Sequence, residues 1–190
     1  MFASAYALIE ESRGDGVNLV VFFDHEEVGN RSKQGAESLL LRDVCERIYR
    51  TLGCHEEEIG RRLYDAMLLS VDVAHGLHPN KMNKMDITNH PTLGNGFCIK
   101  QSCAQSYATD SEMIGILCQI CDKHQIAVQR FVNRSDERGG STLGAVASTL
   151  LPVKTVDIGI PILAMHSARE LMGVGDLRAM IQAIQQFFIG

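Results

Sequence analysis

Residues 68–80 read LLSVDVAHGLHPN, an apolar run from Leu68 to Val73 that carries one carboxylate and ends in two histidines and a proline. A short apolar run without helical period suits a strand buried on both faces. The same signal recurs outward along the chain. NLVVFF (18–23), Gly96 to Lys100, Ala127 to Val132 and Thr155 to Ile160 are further short runs read as strands. Helical patterns lie between them. Residues 2–12 place Phe2, Tyr6, Leu8 and Ile9 along a helix. Gln34 to Thr51 runs through Leu39, Leu40, Val44 and Ile48 and stops at Gly53. Ile59 to Met67, Ser111 to His124, and a helix begun within Thr142 to Leu150 follow, and Asp176 caps a last helix through Phe188. Strands separated by helices predict an α/β fold with helices on both faces of a largely buried sheet. Residues 76–96, rich in Gly, Pro, Asn and Lys, form one long loop, a feature that in compact domains is often functional.

The composition narrows the function classes. A chain of 190 residues makes one domain or one large piece of a domain, and 45% hydrophobic with 22% charged residues is an ordinary globular balance. The 18 basic and 23 acidic residues are interspersed, so no basic patch points to nucleic acid. No apolar run approaches the roughly 20 residues that a membrane helix needs. The apolar start MFASAYALI lacks a positive flank and runs into Glu10 and Glu11, which argues against a signal peptide. Six irregularly spaced cysteines do not form a disulfide framework, so a reducing cytoplasm is the expected setting. Cys118 and Cys121, with His124 after them, have the spacing of a metal knuckle. They also lie in the helical stretch MIGILCQICDKH, where cysteine packs as a small hydrophobe, and no second ligand pair is evident.

Three polar clusters follow apolar runs, where ligands collect in open α/β sheets. DHEEVG (24–29) sets Glu26 beside Glu27 directly after NLVVFF. Adjacent carboxylates repel each other, and a cation offsets that repulsion. One of two such carboxylates can bind a metal while the other moves protons. Taken alone, the run is more often a solvated turn. Asp72 sits within or at the end of an apolar strand, where an unpaired carboxylate is costly, with His75 and His78 just beyond. His166 follows the apolar segment IPILAM (160–165). Taken singly, His75 and His78 read more often as structural, and His166 reads equally well either way. Together, carboxylates and imidazole at three strand ends suggest hydrolytic zinc.

Three segments in order resemble the aspartyl aminopeptidase family of dinuclear zinc metallopeptidases: DHEEVGNRSKQGAESLL (24–40), SVDVAHGLHPN (70–80) and IPILAMHSARELMG (160–173). NRSDERGGSTLG (133–144) and YATD (107–110) are also similar to segments of that family, and the five residues between Gly29 and Gly35 match its spacing rather than that of the related glutamyl group. The resemblance implies a three-layer α/β/α zinc-exopeptidase-like domain with a mixed sheet, and two zinc ions holding a water between them. Glu26 would be the general base. Glu27 and His166 would bind one zinc and Asp72 the other, with manganese or cobalt as alternative metals. His75, and Gly140 and Ser141 at the start of a helix, would contact substrate. The implied reaction is release of N-terminal residues, Asp or Glu among them, from peptides with a free N-terminus.

The family pattern also has a histidine and a bridging aspartate upstream of the matched region, and an inserted dimerisation domain that makes its members homo-oligomers. On this reading residues 1–190 are a C-terminal part of one catalytic domain, with N-terminal strands and the dimerisation domain missing. The expectation is a chain that binds metal poorly and is inactive alone. The alternative is a non-catalytic fragment, or a scaffold remnant of such a peptidase.

Overall fold

The computed structural model describes residues 1–12, 15–137 and 139–190. The sheet is built around strand β4, Lys154–Leu163, whose eight inner residues are all buried. Strand β1, Met67–His75, lies parallel to it, with Asp72 beside Gly159 and His75 beside Ile162. On the other side β2, Phe97–Gln101, runs antiparallel to β4 through Cys98 and Ile99, and β3, Val128–Val132, is parallel to β2. A two-residue strand β5, Leu171–Met172, pairs back onto the end of β4. The order β1-β4-β2-β3 mixes parallel and antiparallel pairs, in agreement with the expected class. Pro161 fits inside β4 because the pairing with β2 ends at Gly159, so no β2 acceptor requires its missing N–H.

The two faces of the sheet follow the period-two alternation of strand side chains. Val156, Ile158, Ile160 and Ile162 of β4, with Phe97 and Ile99 of β2, form the main core. Helices α1 (Phe2–Glu10), α4 (Ser111–His124) and α6 (Val174–Ile189) cover them with Ala3, Ala7, Met113, Leu117, Met180 and Ile184. Helix α4 starts where the Asp110 carboxylate accepts from Met113 N at 2.8 Å, and it stops at Gln125 in the left-handed region. Cys121 is buried in this core and its thiol pKa is pushed up to about 12 by desolvation, in line with the packing reading of the cysteine pair. The alternate strand residues carry the polar groups: Ser70 and Asp72 on β1, Asp157 on β4, Lys100 on β2. Helix α5, Leu143–Leu150, lies on that face. Helices α2 (Leu40–Thr51) and α3 (Glu56–Asp65) make a smaller core with Leu151. No helix among the described residues is long and apolar enough to cross a membrane.

Three expectations are corrected. NLVVFF forms no strand: Val20 and Phe23 pack inward, but Leu19, Val21 and Phe22 are 40%, 36% and 50% exposed. An apolar run reports a tendency to be buried, whereas a strand also needs a ladder partner, and none pairs with it among the described residues. The helix expected from Gln34 begins only at Leu40, because residues 29–38 fold into tight turns, with Asn30 O accepting from Glu37 N and Gly35 O from Ser38 N. A side chain at Gly35 would lie 2.1 Å from Asn30 O, so only glycine allows that approach. Asp176 sits inside the first turn of α6 and bonds to the loop before β2 instead of capping its own helix.

Candidate metal centre

The segment after Phe23 turns sharply. His25, Gly29 and Asn30 take left-handed conformations, with φ of 60°, 98° and 63°, around a single 3-10 turn at Glu26–Val28. The Asp24 carboxylate accepts from His25 N at 2.8 Å, His25 Nδ1 meets Ser32 Oγ at 2.8 Å, and the buried Asn30 donates its N–H to His25 O. These local bonds offset the strain of non-glycine residues at positive φ. They leave Glu26 half-buried and turn Glu27 outward.

The chain leaves β4 through another pair of left-handed residues, Ala164 and His166, at φ 57° and 65°. His166 N donates to Glu170 Oε1 at 2.6 Å, and its Nε2 lies 3.0 Å from Glu27 Oε2. Residues 139 positions apart thus meet at the surface, where a bare ion pair contributes little to stability. Asp72, near the end of β1, accepts from Lys100 Nζ at 2.9 Å. Lys100 is buried, donates also to Val73 O at 2.9 Å, and lies 4.6 Å from the centre of the Tyr107 ring.

Electrostatics join these pairs into one cluster. Glu26 is held above the ordinary glutamate pKa, first by desolvation, then by the charges of Asp72 and Glu27, with Lys100 and His166 partly opposing. His75 stands exposed at the end of β1 with its ring against Phe131, 6.4 Å between centres. Desolvation of part of the ring, then Lys100, then His166 hold its pKa below the usual histidine value, with Asp72 opposing. Glu26, Glu27, Asp72, His75 and His166 therefore share one neighbourhood. Gly140 and Ser141 have no bond to it among the described residues; their loop is tied through Thr142 N to Ser106 O, and Gly139 packs on Asn133. Arg138 of the same segment lies outside the described residues. His78 is engaged locally, with Nδ1 accepting from Asn80 N.

The donors suit zinc in kind. Glu27 and His166 offer a carboxylate oxygen and an imidazole nitrogen side by side, and Asp72 offers a second carboxylate. Three acidic groups face one buried ammonium, a surplus of negative charge that a cation would relieve. Among the described residues no three His, Cys, Asp or Glu converge on one point.

Reading the sequence alone missed Lys100 and Asp157. The signal for each was present: a charge inside an apolar strand. Asp157 is fully buried; its Oδ2 accepts from Ala108 N at 2.6 Å, while its backbone N donates to Thr109 Oγ1. The Ser70 and Thr142 hydroxyls face the same carboxylate, and Ser70 Oγ accepts from Gly144 N.

Residues 1–188 match the family described as aminopeptidase I zinc metalloprotease (M18). The chain is 45% identical over 186 residues to a protein of Clostridium novyi named a probable M18 family aminopeptidase 2, covering 98% of this chain and 43% of that one. It is 37% identical over 194 residues to a probable aspartyl aminopeptidase of Ricinus communis, covering 98% and 40%. A cryo-EM structure of the Ape4 and Nbr1 complex superposes with a TM-score of 0.91 at 33% identity, over 98% of this chain and 37% of that one. The chain spans less than half the length of these relatives.

Proposed function

This chain belongs to the aminopeptidase I zinc metalloprotease (M18) family, and on that premise we propose that it carries the general base and part of the metal site of an aminopeptidase. One observation supports this most: Glu27 and His166, from two separate segments, present their donor atoms 3.0 Å apart beside Glu26 and Asp72.

In the proposed reaction Glu27 and His166 would hold one zinc and Asp72 would contribute to holding a second, with manganese or cobalt also suited to these donors. Bound zinc would polarise the peptide carbonyl and make the attacking water more acidic. Glu26 takes the proton of that water and passes it to the departing amine. Its half-buried position beside Asp72 and Glu27 supports this role. His75, at the end of β1 in the same neighbourhood, would hydrogen-bond the substrate. Gly140 and Ser141, in the loop before α5, would contact the substrate. The substrates are peptides with a free N-terminus. Asp or Glu in first position is the preferred class, supported by the naming of the Ricinus communis relative. We read residues 1–190 as one part of such a catalytic domain. Six free cysteines support a reducing, cytoplasmic setting. The exposed Leu19, Val21 and Phe22 support assembly with further copies.

The second reading, a non-catalytic fragment or scaffold, is favoured by one feature: no three donors converge among the described residues. Zinc-loaded chain with a chromogenic aspartyl substrate separates the two. The enzyme reading expects turnover that a chelator stops, and expects Glu26→Gln to lower it by about 10²-fold or more while bound zinc is unchanged. Zinc binding without turnover supports the fragment reading and the expectation that this part of a catalytic domain is inactive alone. Turnover indifferent to both chelator and Glu26→Gln rules out the proposed mechanism.

A further inference from the structure

Asn95 is the one asparagine of the sequence that is followed by glycine, and it stands exposed at the far end of loop 76–96. With no side chain on the second residue, the backbone nitrogen of an Asn-Gly pair reaches the asparagine amide unhindered, and such a pair is the most prone to lose ammonia. This fold cannot exchange the glycine: Gly96 has a φ of 96°, and a side chain there would lie 2.0 Å from Ala127 O. Both ends of the pair are held. Asn95 Nδ2 donates to Thr92 Oγ1 at 2.6 Å, and Gly96 O accepts from Gln129 Nε2 at 2.8 Å. The contact that matters most is made by the reactive nitrogen itself. Gly96 N donates to Oδ1 of the fully buried Asp176 at 2.7 Å, and Gly94 N donates to Oδ2 at the same distance.

We propose that Asn95–Gly96 is a latent site of spontaneous deamidation, which the buried Asp176 carboxylate holds shut. In the reaction the Gly96 nitrogen gives its proton to solvent hydroxide and attacks Asn95 Cγ. The Cγ–Nδ2 bond breaks, and the leaving nitrogen takes a proton from water and departs as ammonia. The product is a five-membered succinimide whose ring nitrogen carries no hydrogen. Water then opens either ring carbonyl and leaves aspartate or isoaspartate at position 95. Asp176 opposes the ring closure twice. Its negative charge faces the nitrogen that must become anionic. The closed ring also has no N–H to donate, so Oδ1 loses its donor inside the fold. The site therefore opens only when the loop comes away from α6, a local event that need not unfold the rest of the chain. Once modified, the chain carries a new carboxylate between the two amides that Asp176 holds, or, as isoaspartate, one extra backbone atom where it enters β2.

The test is the rate of deamidation at Asn95 in mildly alkaline buffer, followed by peptide mapping that separates aspartate from isoaspartate. Four samples are compared: the folded chain, the chain unfolded in urea, folded Asp176→Ala, and folded Leu117→Ala. Leu117 is fully buried in α4, so its truncation weakens the fold without touching the loop. The unfolded chain is expected to deamidate about tenfold or more faster than the folded one, and Asp176→Ala to recover most of that difference. Leu117→Ala is expected to stay near the unaltered rate. Equal rates in the folded and unfolded chain overturn the guard. So does an Asp176→Ala rate equal to that of the unaltered chain, which would assign the protection to the rigidity of the loop. An equal rise in Asp176→Ala and Leu117→Ala makes global unfolding the route and also overturns it. Should the alanine variant fail to fold, Asp176→Asn keeps one acceptor oxygen without the charge. Its rate is expected to fall between those of the folded and unfolded chain, and a rate equal to that of the folded unaltered chain overturns the proposal.

Discussion

At the scale of single residues, the polar face of the sheet is organised by Asp157. Its carboxylate lies among β1, the loop before α4 and the start of α5, and a side chain at Gly144 would come within 2.8 Å of both its oxygens. Burial raises its pKa, against the opposing pull of the Ser70 and Thr142 hydroxyls, Ala108 N and Lys100. A carboxyl whose folded pKa is raised contributes its full stability below the unfolded value, about 4, and loses it as pH rises through the folded value. Asp157→Asn has no such titration. Its melting temperature relative to the unaltered chain is therefore expected to rise as pH goes from about 4 to about 7. Thermal unfolding followed across that range checks it; a constant difference would mean that Asp157 titrates alike folded and unfolded.

At the scale of elements, the long loop 76–96 owes its far end to helix α6. Asp176 is fully buried; its Oδ2 accepts from Gly94 N and its Oδ1 from Gly96 N, each at 2.7 Å. The carboxylate thus satisfies two backbone donors just where the chain enters β2, the strand that carries Lys100. Asp176→Ala leaves both donors without an acceptor and is expected to cost about 2–4 kcal/mol. Asp176→Asn, which keeps one acceptor oxygen, should cost less. Urea unfolding of the two variants measures this, and a loss near zero for the alanine would show that water replaces the carboxylate.

At the scale of the whole molecule, one run of exposed apolar side chains lies within the first 22 residues. Met1, Phe2 and Ile9 of the first helix are 79%, 65% and 80% exposed, and Val17, Leu19, Val21 and Phe22 follow within a few residues. Beyond β1 no further strand is paired among the described residues, so the sheet edge there offers free backbone groups. The chain is expected to self-associate through this region. Val21→Lys with Phe22→Lys should shift sedimentation toward monomer while costing about 1–2 kcal/mol, because the two side chains are only partly buried, at 36% and 50% exposed. Association unchanged by the double substitution would place the contact elsewhere.

The sequence by itself determined the α/β class, the strand around LLSVDV and the helix over Ser111–His124, and it singled out Glu26, Glu27, Asp72 and His166, which the structure brings into one neighbourhood. These are legible because side-chain period acts within a few residues, and because acidic groups at strand ends stand out against apolar runs. Tertiary structure alone decided that NLVVFF lies outside the sheet, that Asp176 serves a loop instead of its own helix, and that Lys100 neutralises Asp72. Each depends on a partner distant in the chain: 28 residues separate Lys100 from Asp72, and 80 separate Asp176 from Gly96. Local periodicity carries no information about which distant donor a buried carboxylate will meet, because that is fixed only when the strands and helices pack.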